Sequence, residues 1–365
     1  MQQTESNLFG LDYREQAWKL GPPVVPIIDI HSHINGHRAP EVYKRARDAY
    51  GVGRTYTMTL LEFAEPVKRA LGDSVRFIAV PEFASKDRAH AHGPGFIDSI
   101  TKWHARGARI VKFWTAPRGR ELGKMSGDPK IVTWDNPWRR KQLDHAAGLG
   151  MMFMCHIADP DTWFKTKYAD ASFFGTKASQ YEIVEKLVEE YKAPWIFAHM
   201  GGWPEDLRFL SGLLDRHANL SLDTSATKWM VRELSKHPRE EFLAFFTKYQ
   251  DRLIFGSDIV TTDDHVRSEK QTTIGGPDKA NQASNEEEAF DLYASRYWAL
   301  RTLFETNFDH PSPIADGDLM MVEPGRYDEK SSPRLVGKNL PAEILRKVYA
   351  GNAARVVEGW CGGRR

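Results

Sequence analysis

The sequence predicts an α/β protein built as a (β/α)8 barrel, the TIM-barrel class, with long loops after the strands. Three observations carry this prediction. Short apolar runs alternate with helix-periodic stretches along the 365 residues, an order that implies parallel strands joined by crossover helices. The runs are apolar on both faces, as strands of a buried parallel sheet must be. A (β/α)8 barrel needs about 250 residues, which leaves the rest of the chain for loops. The competing class is a doubly wound open sheet, but no glycine-rich phosphate loop follows the first strand, where that fold carries its ligand fingerprint.

Residues 1–26 are polar and then proline-rich, a lead-in segment. The first strand, 27–33, reads IIDIHSH; turn residues at 35–40 mark a loop, and a helix runs to about residue 50. Strands at 54–60 and 75–81 flank a helix at 63–71. The helix at 96–106 sets Phe96, Ile97, Ile100 and Trp103 along one face and leads into the fourth strand, 108–114. A loop rich in Gly, Pro and basic residues fills 115–137, and a helix to 149 precedes the fifth strand, 151–157. Ser179 and Glu182 have capping-box spacing ahead of a helix that Pro194 stops. The sixth strand is 195–199, and Pro204, Glu205 and Asp206 suit the first turn of the helix after it. A seventh strand at 219–224, a helix at 238–249 and an eighth strand at 252–258 complete the alternation. Residues 261–285 are polar and irregular, either a working loop or a disordered one. A helix at 286–306 carries Phe290, Tyr293 and Tyr297, and a last helix runs from Pro341 to a stop at Gly351. The barrel is placed at 27–358 and a tail at 359–365.

Charge is balanced, with 50 basic against 49 acidic residues, and no basic block points to nucleic acid or a membrane surface. No apolar run spans a bilayer, and the first ten residues have neither a basic nor an apolar leader region, so a soluble cytoplasmic protein is expected. Cys155 and Cys361 are too few for a disulfide framework and lack thiolate zinc-site spacing. Any metal must be held by histidine and carboxylate.

His31 and His33 close the first strand, and side chains two apart in a strand project from the same face, with Asp29 one step below. His156 ends the fifth strand, His199 the sixth and Asp258 the eighth. Barrel enzymes place their chemistry at such C-terminal strand ends, so these four ends are expected to converge on one divalent metal. The chain supplies its own control: His90 and His92 repeat the His-x-His spacing with no apolar run leading into them, and are read as ordinary loop histidines.

The ordered motifs IDIHSH, CHIADPD, FAHMGG and IFGSDI, with the late NLPAEILRKVYAGNAARVV, resemble the amidohydrolase superfamily. The likeness is closest to its second family, metal-dependent barrels that include aminocarboxymuconate semialdehyde decarboxylase and related decarboxylases and hydrolases. It spans roughly residues 27–357. The resemblance implies that His31, His33, His156 and Asp258 bind one divalent metal, most often zinc. It makes His199 a catalytic residue beside the water or substrate oxygen, and Asp258 a proton shuttle as well. In two-metal members a lysine on the fourth strand is carboxylated and bridges the ions. Lys112 stands on that strand, so two ions are the alternative, but an unmodified Lys112 and a single ion are favoured.

Such a ligand set would lower the pKa of a bound water to about 7. The expected function is therefore a metal-dependent hydrolase cleaving a C–N or C–O bond of a small organic molecule. The alternative is a nonoxidative decarboxylase (carboxy-lyase) of an aromatic or unsaturated acid; a ligand-binding barrel without turnover is a third class. Arg118, Arg120 and Lys124, in the loop after the fourth strand, are candidates to meet an anionic substrate, against the plainer reading as solvated charges. Trp114, Trp163, Phe164 and Trp203 are candidates to wall a pocket for a flat substrate, with core packing as the other reading. Lys112 joins the substrate-contact candidates. The state of assembly is left open, a homo-oligomer being compatible with the sequence.

Overall fold

The computed structural model describes residues 3–271 and 276–362. The fold is α/β, and all eight strands read from the sequence are present. They are β1 (Ile27–His33), β2 (Val52–Met58), β3 (Val75–Ile78), β4 (Ile110–Trp114), β5 (Met152–His156), β6 (Trp195–Phe197), β7 (Leu220–Asp223) and β8 (Leu253–Ile254), each separated from the next by helix. The (β/α)8 alternation thus stands along the chain. The described residues fall into two compact units, Met1–Arg76 with Thr224–Ala353, and Phe77–Asp223 with Ala354–Arg365.

In the first unit β1 lies between β2 and a short extra strand, β9 (Ile259–Val260), and pairs with both in parallel. Ser32 sits opposite Thr57 on one side and Ile259 on the other. Ile27 and Ile30 are fully buried, and so are the polar Asp29, His31 and Ser32 of the same strand. Burying polar groups this densely costs free energy unless each is bonded, which marks β1 as more than a core strand. The helix Glu286–Glu305 is buried along most of its length and packs against the helix Ala39–Ala49. Asn285 caps its first turn through the Glu287 and Glu288 amides, and Glu286, Glu287 and Glu288 place acids at its positive end. The helix Ala39–Ala49 has no side-chain cap from Arg38; the amides of Arg38 and Ala39 at its start, and of His37 just before it, donate instead to Asp263, more than two hundred residues away.

Of the irregular stretch 261–285, residues 272–275 lie outside the described residues, as do 363–365 of the expected tail. The described flanks are firmly held. Asp264 accepts from Arg267 Nε and the Gln271 amide, and His265 lies between Tyr293 Oη at 2.9 Å and the Lys279 carbonyl at 2.8 Å. Burial pushes the His265 imidazole down to about 4 from 6.5. The unfolded chain therefore gains a proton below 6.5 that the folded state refuses until about 4. Stability falls as pH drops through that window, by up to about 1.4 kcal/mol per pH unit. His265→Gln is expected to be less stable at pH 7 but to lose less on acidification. Urea midpoints across the window test this; an unchanged slope would remove His265 as the titrating group.

In the second unit β4, β5, β6 and β7 lie side by side in chain order, all parallel. Val111 faces Phe153, and Met154 faces Ile196, which in turn faces Ser221. Phe153 and Trp195 meet with ring centroids 4.6 Å apart, and both are fully buried.

Several local expectations are corrected. The sixth and eighth strands stop short, at Phe197 and Ile254, so His199 and Asp258 lie beyond them in turns. Ser179 and Glu182 form no capping box: Ser179 belongs to a 3-10 turn, Ala178–Gln180, and the helix Tyr181–Glu190 begins without a side-chain cap. Asp206 is the cap of the helix Leu207–Arg216, accepting from the Phe209 amide, rather than part of its first turn. The 115–137 loop contains a helix, Gly119–Met125. His90 and His92 lie on a short helix, Arg88–His92, where His90 is exposed and His92 buried. The last helix does not stop at Gly351, because two successive π-helical segments, Lys347–Gly351 and Ala353–Glu358, carry it on. Asn352 then anchors it on the Gln250 and Leu253 carbonyls, each at 2.7 Å.

Candidate metal centre and active-site residues

Within the first unit, β1 and the segment after β8 bring His31, His33 and Asp258 together. Asp258 Oδ1 lies 3.5 Å from His31 Nε2 and 3.2 Å from His33 Nε2. One ligand atom from each residue lies within 4.8 Å of the others, the arrangement of a potential metal site. The placement follows from backbone bonds: the Asp258 amide donates to the His31 carbonyl at 2.7 Å, and the Thr261 amide to the His33 carbonyl at 2.9 Å. Asp258 itself takes a left-handed φ of 59°, which non-glycine residues adopt at a cost of about 1–2 kcal/mol. His31 is almost wholly buried, while His33 and Asp258 keep about three-tenths of their side chains exposed, so the cluster opens on one side.

Ser225 Oγ lies 3.0 Å from His31 Nδ1. An Nδ1–H donating to that hydroxyl leaves the Nε2 lone pair directed at Asp258, the tautomer a metal ligand needs. Asp29 lies below, fully buried. Burial pushes its carboxyl up to about 6, against the pull of hydrogen bonds from Ser257, the His31 amide and Tyr297.

Within the second unit, His156 and His199 meet edge to face, ring centroids 4.4 Å apart. His156 Nε2 lies 2.9 Å from Asp159 Oδ1, and Tyr168 donates to the other oxygen of Asp159 at 2.7 Å. His199 opens a run of left-handed residues, His199, Met200, Gly201 and Gly202, with φ of 59°, 50°, 66° and 80°. The turn is held from outside: the His199 amide donates to Asp223 Oδ1 at 2.9 Å and Tyr181 to the Gly201 carbonyl at 2.7 Å. At Gly202 a Cβ would lie 2.3 Å from the Ala158 carbonyl oxygen, so the last position admits only glycine. Strain of this kind survives where surrounding structure enforces it, commonly at functional sites.

Lys112 is buried on β4 as expected. Trp114 ends that strand half-buried, and Arg118 and Lys124 are exposed. Trp203 belongs to an aromatic cluster, 4.5 Å from Phe209 and stacked on Tyr181, with Lys177 Nζ 4.8 Å above it. Trp163 packs edge to face on Tyr168, with Lys167 Nζ 3.6 Å from its centroid. Phe164 packs on Tyr168 too. Trp163, Phe164 and Trp203 thus pack within aromatic clusters, as the packing reading expects.

Asp159, Asp223 and Ser225 were not among the sequence candidates. Asp223 ends β7 just as His31, His33 and His156 end or nearly end their strands, so the rule used for those strands, applied to LSLD, finds it. Asp159 stands three residues past His156, where only the fold reveals the bond.

No curated protein matches the chain significantly. Among solved structures, 2,6-dihydroxybenzoate decarboxylase from Rhizobium is 13% identical, covering 92% of this chain and 99% of its own, with a TM-score of 0.37. A probable 2-pyrone-4,6-dicarboxylic acid hydrolase from Acinetobacter baumannii is 12% identical, covering 74% and 92%, with a TM-score of 0.41. A 5-carboxyvanillate decarboxylase from Novosphingobium aromaticivorans, complexed with manganese, is 11% identical, covering 94% and 97%, with a TM-score of 0.43. The amidohydrolase family model matches residues 28–358, nearly the whole chain. With that match the chain belongs to the amidohydrolase family and is one of its enzymes.

Proposed function

We propose that this amidohydrolase-family enzyme is a metal-dependent hydrolase that cleaves a C–N or C–O bond of a small organic substrate. The observation that carries the reading is the gathering of His31 Nε2 and His33 Nε2 at 3.5 and 3.2 Å from Asp258 Oδ1. Ligand bonds of about 2.0–2.1 Å make a tetrahedral site with edges of about 3.3–3.4 Å, so both separations suit coordination of one shared divalent ion, zinc in this reading. The family motif gives His156, in the second unit, a ligand's role as well. Asp159 lies on its Nε2 and orients the ring.

A divalent ion, when bound, acidifies water and polarises a substrate oxygen. Asp258, partly exposed beside the two imidazoles, takes the proton from the attacking water and returns it to the leaving group. His199, fixed by its strained turn, donates a hydrogen bond to the oxygen on which charge develops. Lys112 stays unmodified, consistent with one ion per chain.

Metal analysis of the purified protein, covering zinc and manganese, is expected to find close to one ion per chain. A screen of small amides, lactones and aromatic acids, scored for new acid or amine groups and for bicarbonate, is expected to show hydrolysis. Bicarbonate release would replace the reading with nonoxidative decarboxylation. An active protein free of metal would overturn both, and two ions with a carboxylated Lys112 would overturn the single-ion assignment.

A further inference from the structure

Asp29 is fully buried and stands outside the group of potential ligands, yet its carboxylate joins the segments that carry all three of them. Oδ1 accepts from the His31 amide and the Ser257 amide, each at 3.1 Å. Oδ2 accepts from Ser257 Oγ at 2.6 Å and from Tyr297 Oη at 2.8 Å. One buried anion therefore ties β1, the residue before Asp258, and the helix Glu286–Glu305. Ser257 Oγ in turn accepts from the Ile259 amide at 3.2 Å, so the left-handed Asp258 is gripped on both flanks by one hydroxyl that Asp29 orients.

The direction of the hydrogen bonds behind Asp29 follows from its chemistry, since an ionised carboxylate only accepts. Tyr297 must donate to it, which leaves the Tyr297 oxygen to accept from Tyr43 Oη at 2.7 Å, and the Tyr43 oxygen to accept from Thr55 Oγ1 at 3.0 Å. Thr55 also sits opposite Asp29 in the β1–β2 register. A chain of hydroxyls thus runs from β2 through two helices and ends on Asp29, each member with one permitted orientation. The helix Glu286–Glu305 carries no candidate ligand, yet through Tyr297 it bears on the position of His31 and Asp258.

We infer that Asp29 and Tyr297 are positioning residues for the metal centre: they set the separation of His31, His33 and Asp258, and with it the affinity for a divalent ion. The inference rests on the proposed metal-dependent function. Asp29→Asn keeps the shape but turns one acceptor into a donor facing groups that already donate. Tyr297→Phe removes a single hydroxyl. Zinc affinity, measured by chelator competition on folded protein, is expected to weaken by about 10–100-fold in Asp29→Asn and by less in Tyr297→Phe. The visible absorption of the cobalt-substituted protein is expected to change in both, because it reports ligand geometry. A role confined to folding would lower the thermal midpoint while leaving zinc affinity and the cobalt spectrum as in the wild type, and that result overturns the inference. Should Asp29→Asn fail to fold, Tyr297→Phe decides by the same two readouts. The two readings fail differently. Wild-type protein that binds neither zinc nor cobalt sinks the proposed function and this inference together, whereas wild-type affinity retained in the variants sinks this inference alone.

Discussion

His31→Ala and His33→Ala, made singly, are each expected to lose the bound divalent ion and at least about 10³-fold in kcat/KM. The size follows from what the ion contributes: charge stabilisation of several kcal/mol at the reacting oxygen, where each 1.4 kcal/mol is tenfold. His31 is the more demanding position. Its ring is buried with Nδ1 on Ser225, so its truncation also strands a buried hydroxyl partner. His33 is part-exposed, so its loss is expected to leave the thermal midpoint nearly unchanged while metal and activity go. His90→Ala is the matched control, an exposed histidine from the other His-x-His pair, expected to change neither metal content nor rate. Equal activity in His33→Ala and wild type, at equal metal content, would remove the site from the mechanism.

That contrast between two identical spacings shows where the sequence is informative. IIDIHSH is legible because an apolar strand leads into it and fixes which way the histidines point; RAHAH lacks that frame and folds as a short helix. The eight strands are legible for the same reason, each being an apolar run between helix-periodic stretches. What stays hidden is whatever depends on pairing across long sequence separations. Asp263 capping a helix that starts at Ala39, Ser225 on His31, and Tyr297 on Asp29 leave no local trace, because serine, tyrosine and aspartate have many local uses. The turns holding His199 and Asp258 are hidden differently. FAHMGG and FGSDI read as strand ends, and only glycines 201 and 202 hint at left-handed backbone; that His199, Met200 and Asp258 share it is imposed by partners elsewhere in the fold.

Arg232→Met is expected to cost about 3–5 kcal/mol of stability, the loss typical of breaking a buried ion pair from one side. Arg232 is 1% exposed on the helix Thr227–Leu234. Its guanidinium bonds Glu233 at 2.5 Å, Asp318 at 3.1 Å and Asp316. Burial opposes its charge, but Asp316, Glu233 and Asp318 outweigh burial and hold its pKa above the ordinary value. Asp316 shows the reverse balance. Burial raises its carboxyl, Arg232 pulls it back, and Asp318 raises it further. With Arg232 gone, the folded-state pKa of Asp316 rises further above its unfolded value. The folded state then binds a proton that the unfolded state has released, so the variant gains stability as pH falls. The deficit in urea unfolding free energy is therefore expected to be largest at pH 7 and to shrink toward pH 5. Arg232→Met combined with Asp316→Asn is expected to recover part of the loss at pH 7, since no charge is then stranded at that position. A deficit that is the same at both pH values, and is not relieved by the second substitution, would mean that lost packing around the arginine stem, rather than an orphaned carboxylate, accounts for the cost.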